Sequence, residues 1–129
     1  MTKITKGSCN CGAVRWEAQG ELRGIIACHC GQCRKQTGLY YAATNVPDDK
    51  LTLISDHTLK WYQSSDSAKR GFCSECGSAL FWKLDTAPST SVLAGCIDGH
   101  SGLEIEEHIF TADIPDWYEI TDGKPIRES

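Results

Sequence analysis

Three cysteines fall within six residues, at Cys28, Cys30 and Cys33, and two cations, Arg34 and Lys35, follow them directly. Thiolates are favoured zinc ligands, and a zinc ion with only three protein ligands keeps a fourth position open for chemistry. Cationic side chains beside such a site can pair with the carboxylates of a bound molecule. This stretch therefore predicts an open, reactive zinc site, with the three cysteines as its catalytic centre and the two cations as ligand-binding residues.

Four further cysteines form two close pairs, Cys9 with Cys11 and Cys73 with Cys76. Four thiolates make a closed zinc site, and the metal in such a site contributes folding energy. The sequence leaves the pairing open, because one pair could instead lend a fourth thiolate to the triplet. The local self-sufficiency of the triplet favours a four-plus-three division. We therefore expect two zinc ions per chain, one of them structural.

Length and charge restrict the class of protein. A chain of 129 residues fits one domain spanning residues 1–129. Its net charge of -4 provides no electrostatic footprint for nucleic acid or an anionic membrane. There is no apolar run of membrane-spanning length and no apolar secretory signal at the start, so we expect a cytoplasmic protein. In a reducing compartment, eight cysteines indicate metal binding rather than disulfides.

Short alternating stretches separated by turn residues predict an all-β domain, since no window holds a sustained helical period. Residues 7–18 open with a Cys-x-Cys-Gly turn and continue as a strand, while the cysteine triplet is expected to form a tight loop around Gly31. Residues 70–72 lead into the second cysteine pair. Further strands are predicted at residues 22–28, 39–46, 50–55, 59–63, 78–84, 91–97, 103–110 and 117–121.

The four histidines and the eighth cysteine receive different interpretations. His29 lies between two cysteines, so its side chain should point away from the metal that they face and act as a hydrogen-bond donor or acid. His108 lies in an apolar strand and should close a hydrogen-bond network. His57 and His100 lie in turns and should be exposed. Cys96 lies in an apolar predicted strand, and buried structural cysteine is the default interpretation.

With these residues in view, the chain resembles the family of glutathione-dependent formaldehyde-activating enzymes, which also contains the CENP-V-like proteins. The resemblance covers nearly the whole chain and rests on an ordered set of seven cysteines with their flanks. The matching motifs are Gly7-x-Cys9-x-Cys11-Gly12-x-Val14, Cys28-His29-Cys30-x-x-Cys33-Arg34-Lys35 with Thr37-Gly38, Phe72-Cys73-x-x-Cys76-Gly77-Ser78, Ala94-Gly95-x-Ile97-Asp98, and His108-Ile109-Phe110 followed by Trp117.

The resemblance implies a β-tent, a fold of small antiparallel sheets that lean together over zinc. It implies a structural zinc on the two cysteine pairs and a second zinc on the triplet, where a substrate thiol can bind. The implied activity is that of a carbon–sulfur lyase, joining glutathione to formaldehyde as S-(hydroxymethyl)glutathione. Its partners would be a small thiol and an aldehyde.

The residues permit a mechanism of this kind. Zinc on three thiolates carries a net negative charge, which favours a soft sulfur donor over water as the fourth ligand. A coordinated thiol is deprotonated, and its thiolate could attack an aldehyde carbon to give a hemithioacetal. Lys69 and Arg70 are further cations near the second cysteine pair, interpreted mainly as solvated charge. The candidate proton donors are His29, Tyr40, Tyr41 and His108.

Three other functions remain open. The chain could be a zinc-stapled carrier of glutathione or another thiol, or an interaction module without catalysis. An interaction module for chromatin or RNA would need a basic extension, which the sequence does not contain. A redox enzyme resembling the B-type methionine sulfoxide reductases would use Cys96 as its nucleophile, but the sequence shows no activating group beside that cysteine.

Overall fold

The computed structural model describes residues 3–129. This part of the chain forms ten strands, one α-helix and three single 3-10 turns. The strands are β1 (Ile4–Ser8), β2 (Arg15–Gln19), β3 (Ile25–Cys28), β4 (Tyr41–Pro47), β5 (Leu51–Ser55), β6 (Leu59–Gln63), β7 (Ala68–Cys73), β8 (Ala79–Leu84), β9 (Ser89–Leu93) and β10 (Ile105–Ile109). The helix α1 is Gly31–Thr37, and the 3-10 turns are Asp48–Lys50, Ala94–Cys96 and Thr111–Asp113. No helix in this part of the chain has the length and apolar character needed to span a membrane.

The strands form two sheets, which confirms the predicted all-β class. A three-stranded sheet has the order β1-β2-β5, and a seven-stranded sheet has the order β10-β3-β4-β9-β8-β7-β6. Neighbouring strands are antiparallel with one exception among the described residues, since β10 runs parallel to β3. A parallel pair needs a long crossover connection. Here that connection includes six strands, so the end of the chain returns beside the cysteine triplet.

The main core lies between the two sheets, and the other face of the large sheet carries a second cluster. Val46 and Val92 pack with Trp16 of the small sheet in the main core. Tyr41 and Leu93 pack instead against the cysteine triplet. Successive side chains of a strand point to opposite faces, so β4 and β9 supply both clusters. The large sheet therefore separates the main core from the triplet.

The expected tight loop at the triplet is wrong, because α1 begins at Gly31. The Sγ atom of Cys30 accepts a hydrogen bond from the backbone N–H of Cys33 and caps the helix at its start. Gly38 ends the helix in the left-handed conformation, with φ 95°, and its N–H donates to the carbonyl of Arg34. At seven residues, α1 is shorter than the window in which a helical period can be recognised.

Four other predicted boundaries are corrected by the structure. The strand expected at residues 117–121 does not form, because this segment has no backbone partner along a sheet edge and its Tyr118 packs on other aromatic rings. The strand expected at residues 91–97 ends at Leu93 and continues as a 3-10 turn. Strand β1 lies before the predicted start of structure. Strand β7 replaces what the sequence suggested was only a lead-in to the second cysteine pair.

Candidate metal centres

The first cysteine cluster joins two distant turns. Cys9 and Cys11 lie in the turn between β1 and β2, and Cys73 and Cys76 lie at the turn between β7 and β8. All four Sγ atoms lie within 4.8 Å of one another. The Sγ atoms of Cys11 and Cys73, which are 62 residues apart, are separated by 3.8 Å. This convergence of four thiols fits a closed site for one zinc ion.

Hydrogen-bond donors support the thiolate form of Cys73 and Cys76. A backbone hydrogen bond from Ala13 lowers the pKa of Cys11, but the neighbouring thiols outweigh it and raise that pKa to about 12. The hydroxyl of Ser78 lies 3.2 Å from the Sγ of Cys76, and that of Thr58 lies 3.4 Å from the Sγ of Cys73. Hydrogen bonds from Ser78 lower the pKa of Cys76 to about 5. The backbone N–H of Val14 donates to Cys9. Since metal ligation requires the thiolate, these donors make the cluster suited to a metal ion.

The second cluster is built where β3 passes into α1. Cys28 ends the strand, Cys30 caps the helix, and Cys33 lies in its first turn. Their Sγ atoms also lie within 4.8 Å of one another. A helix turn brings residues three apart onto the same side, which explains how Cys30 and Cys33 face each other. Three thiols without a fourth cysteine fit a zinc site with one position open to a ligand.

Arg70 provides positive charge at this cluster. It is only 5% exposed, and its Nη2 atom lies 3.5 Å from the Sγ of Cys33. Its guanidinium also donates to the side-chain oxygens of Gln36, at 2.9 Å, and Gln32, at 3.4 Å. Burial works against the charged form, but the contacts with Cys33 and Tyr41 raise the pKa of Arg70 on balance. The arginine therefore offsets negative charge on the thiolates.

The thiols of the triplet differ in pKa and in exposure. The hydrogen bond with Cys33 lowers the pKa of Cys28. The same bond, together with burial, raises the pKa of Cys33. Cys33 is 3% exposed, whereas Cys28 and Cys30 are half-buried. The triplet is thus buried on the Cys33 side and accessible on the other.

The accessible side of the triplet opens into a cavity of about 350 Å³. Strands from both ends of the large sheet contribute to its walls, as does the segment between β6 and β7. Two arginines and four serines give it polar groups, and the remaining walls are mostly apolar. The lining residues are Arg23, Ile26, Cys28, Cys30, Gln32, Cys33, Tyr41, Ala43, Ser64, Ser65, Ser67, Ala68, Arg70, Trp82, Ser91, Ile109 and Phe110.

The predicted cationic residues lie beside this cavity rather than along its wall. Arg34 is half-buried on α1, and Lys35 is exposed and lines a neighbouring cleft together with Gln32 and Arg70. The cations that line the cavity itself are Arg23 and Arg70. Sequence reasoning treated Arg70 as mainly solvated and did not consider Arg23. Burial along β7 does not alternate, since Arg70 and Gly71 are both buried, so no periodic pattern in the sequence marks Arg70.

Tyr41 is the second polar group that the structure brings to the triplet. Its side chain lines the cavity and is 4% exposed. Among the described residues, its hydroxyl has no hydrogen-bond partner. Burial raises the pKa of Tyr41, so the phenol keeps its proton. A buried hydroxyl without a partner is costly unless a ligand or water satisfies it.

The histidines are arranged as their positions in the sequence suggested. His29 is fully buried, and its Nε2 atom lies 2.8 Å from the Nδ1 of His108. The Nε2 of His108 lies 2.8 Å from a carboxylate oxygen of Asp122, so His108 does connect a hydrogen-bond network. Asp122 was not identified from the sequence. His57 and His100 are exposed, as predicted.

Cys96 is separate from both clusters. It ends the 3-10 turn after β9 rather than lying in a strand, and its thiol donates to the carbonyl of Ala79 over 3.3 Å. Burial raises the pKa of Cys96 to about 11. A thiol with a raised pKa is a poor nucleophile at neutral pH. The structure therefore favours a packing role for Cys96 and weighs against the redox alternative.

Fold and clusters together first define a class: a small domain of two β-sheets with two cysteine clusters that could hold zinc. A family model described as "Glutathione-dependent formaldehyde-activating enzyme" matches residues 4–113. The chain belongs to this family.

Individual relatives agree with that membership. The chain is 34% identical over 128 residues to a Halomonas elongata protein named "Putative glutathione-dependent formaldehyde-activating enzyme", covering 91% of this chain and 81% of the relative. It is 25% identical over 115 residues to a Schizosaccharomyces pombe protein named an uncharacterized lyase, covering 88% and 83%. A crystal structure of a Rhodobacter sphaeroides protein superposes with a TM-score of 0.63 at 27% identity, covering 75% of this chain and 91% of that one.

Proposed function

We propose that the chain is a zinc-dependent enzyme of the carbon–sulfur lyase type, which forms or cleaves a thiol–aldehyde adduct such as S-(hydroxymethyl)glutathione. The observation that carries the proposal is that Cys28, Cys30 and Cys33 form a three-thiol cluster and all line one cavity. Membership of the family and the names of the relatives support the reaction class. We further propose that residues 1–129 act as one zinc domain in the cytoplasm, where glutathione keeps thiols reduced.

Two zinc ions per chain fit the two clusters. The site of Cys9, Cys11, Cys73 and Cys76 is closed by its four thiols and would be structural. At the triplet, zinc supplies a position for a soft sulfur donor and favours the thiolate form of a substrate thiol. The remaining tasks of binding, orientation and water exclusion belong to the residues around the cavity.

Cations on two sides of the triplet can bind a carboxylate-bearing thiol. Arg23 and Arg70 line the cavity, and Arg34 and Lys35 lie next to it on α1. Arginine forms bidentate, charge-assisted hydrogen bonds with carboxylates. Glutathione carries two carboxylates, so a molecule bound through its sulfur at the triplet could reach cations at either side.

The reaction itself joins sulfur to carbon. The thiolate sulfur forms a bond with the aldehyde carbon, while the π electrons of the carbonyl move to its oxygen, which then takes a proton. The product is a hemithioacetal, and the reverse reaction returns thiol and aldehyde. Of the four candidate proton donors, we assign Tyr41, which lines the cavity with an unpartnered hydroxyl. His29 and His108 instead bond to each other.

Cobalt substitution tests the open position directly. Titrating glutathione into the cobalt-loaded protein should strengthen the thiolate-to-metal charge-transfer band, because a fourth sulfur joins the triplet. S-methylglutathione is the matched control, since its sulfur cannot become a thiolate and should leave the band unchanged. Arg34→Ala and Arg23→Ala should each weaken binding by about 1.5–3 kcal/mol where the arginine holds a carboxylate. A spectrum that ignores glutathione would remove the basis for the proposal.

A second measurement distinguishes an enzyme from a protein that only binds and carries the thiol. Nuclear magnetic resonance exchange experiments with labelled formaldehyde and glutathione should show faster formation and breakdown of the adduct with the zinc protein than without it. Cys30→Ser should return the exchange rate to that of the uncatalysed reaction. If glutathione binds but the exchange rate stays unchanged, the chain is a thiol carrier and the enzyme proposal is wrong.

A further inference from the structure

A hydrogen-bonded series of polar side chains connects the C-terminal segment to the cysteine triplet. His29, between Cys28 and Cys30, is fully buried and bonds to His108 across 2.8 Å. His108 is 1% exposed and bonds to Asp122 across another 2.8 Å. These hydrogen bonds therefore connect the accessible carboxylate of Asp122 to His29, which lies between two cysteines of the triplet.

The direction of the hydrogen bonds in this series follows from its acidic end. The ionised carboxylate of Asp122 can only accept, so the Nε2 of His108 donates to it. A neutral His108 then has an accepting Nδ1 atom, which requires the Nε2 of His29 to donate. The carboxylate thus selects one tautomer and one ring orientation for both histidines, as the partner of a ring nitrogen does in metal sites.

The acceptor comes from residues beyond the family-matched region, which ends at residue 113. Within this C-terminal segment, residues 114–129, the stretch 125–127 lies along β10. The backbone N–H of His108 donates to Pro125 over 2.9 Å, and the N–H of Arg127 donates to His108 over 2.8 Å. Tyr118 of the same segment stacks on His29, with ring centroids 6.1 Å apart. The segment therefore supplies both a hydrogen-bond acceptor and an aromatic wall for the two histidines.

The direction of the His29 side chain determines the direction of the two flanking thiols. Cys30 has an extended backbone, with φ -62° and ψ 160°. In an extended chain, neighbouring side chains point to opposite sides, so holding the ring of His29 on one side directs both flanking thiols to the other. The backbone N–H of His29 also donates to Ile109 over 3.0 Å, which ties the same stretch to β10.

We propose that Asp122, acting through His108, is a positioning residue that fixes His29 and thereby orients Cys28 and Cys30 for metal binding. The proposal rests on the proposed use of the triplet as a metal site. It assigns to the C-terminal segment a role in assembling that site, although the segment contributes no cysteine to it. Asp122 does not touch the metal position or a substrate.

Asp122→Ala tests this proposal by metal affinity. Chelator competition with cobalt should show about 10-fold weaker binding at the triplet, the smaller end of the loss seen when an outer hydrogen-bond partner is removed. Binding at the four-cysteine cluster should not change. Asp122→Asn should recover most of the affinity, because its amide oxygen can still accept from His108. The matched control is Asp116→Ala, which removes another exposed acid from the same segment.

Nitrogen NMR of the histidine rings provides a readout that needs neither activity nor a metal ion at the triplet. In the parent chain and in Asp122→Asn, His29 should show one tautomer with the proton on Nε2. In Asp122→Ala it should show a mixture of both tautomers. Should Asp122→Ala fail to fold, Asp122→Ser takes its place, since its hydroxyl is too short to keep the bond.

Three results would overturn the proposal. One is an Asp122→Ala chain with unchanged cobalt affinity at the triplet, and another is an unchanged His29 tautomer. The third is an equal loss of affinity in Asp116→Ala. Failure of the lyase proposal would look different, since the parent protein would then bind metal at the triplet and show one His29 tautomer but would not accelerate adduct exchange.

Discussion

At the scale of single residues, a buried arginine lies beside a buried thiol. Arg70 reaches Cys33 with its Nη2 atom, lies over the ring of Tyr41 at 5.2 Å, and bonds to two glutamine side chains on α1. Arginine is rarely buried without a partner for its charge. The contact with Cys33 supplies that partner once the thiol is ionised, so the arginine and the triplet depend on each other.

Arg70→Met should therefore destabilise the zinc-loaded protein by about 1–3 kcal/mol, because it removes the guanidinium that bonds to the buried Sγ of Cys33 and to the side chains of Gln32 and Gln36. The free energy of unfolding from denaturant titration measures this loss. The control is Lys69→Met, one residue earlier on β7, where the side chain lies over the ring of Trp61 at 4.5 Å. That change should cost less than about 1 kcal/mol. Equal losses in the two variants would show that the contact with Cys33 is unimportant.

At the scale of the elements, the pairing of β1 with β2 depends on one small residue. Gly7 lies opposite Trp16, and a Cβ atom at residue 7 would come within 2.1 Å of the indole ring. Trp16 is 1% exposed and belongs to the core between the sheets. The indole thus packs directly over the backbone of β1, an approach that only glycine permits.

Gly7→Ala should cost about 1–3 kcal/mol, or more if the indole cannot shift, because the added methyl group overpacks the core. The thermal midpoint and the free energy of unfolding both report this loss. Gly95→Ala is the matched control, since a Cβ atom at residue 95 meets nothing within 4 Å and that glycine is exposed. Its stability should stay within about 0.5 kcal/mol of the parent. If Gly7→Ala left the free energy of unfolding unchanged, the Trp16 side chain would be able to repack around the added methyl group.

At the scale of the whole molecule, the two cysteine clusters connect very different lengths of chain. The four-cysteine cluster joins the turn after β1 to the turn after β7, and so connects the small sheet to the large one. The triplet is confined to the junction of β3 and α1. Metal binding that joins distant segments is coupled to folding of the whole domain, whereas a local site constrains little more than its own loop.

Cys76→Ser should accordingly abolish the cooperative thermal transition of the zinc protein, whereas Cys30→Ser should keep it with a lowered midpoint. Circular dichroism during heating distinguishes the two outcomes, and zinc analysis of each variant shows which site was lost. Cys30→Ser should retain one zinc ion per chain of the two that we propose. Comparable unfolding of both variants would contradict separate structural and reactive roles for the clusters.

The sequence by itself determined the features that depend on local spacing. Strands such as β6, with alternation over a few residues and turn residues on both sides, were predicted at their observed bounds. The three cysteines of the triplet fall within six residues, so their convergence needs no distant contact. The direction of the His29 side chain, away from the thiols, likewise follows from its place between two cysteines.

Only the tertiary structure decided the features that depend on long-range contacts. The pairing of Cys11 with Cys73 depends on how two sheets pack across 62 residues of chain. Burial of Arg70 depends on α1 covering β7, and α1 itself is too short to give a periodic signal. His108 reaches His29 because β10 returns in parallel beside β3. Asp122 reaches His108 because residues 125–127 lie along β10. Local sequence patterns do not predict these long-range contacts. The free energy that stabilises them comes from the burial of surface between segments that are far apart in the chain.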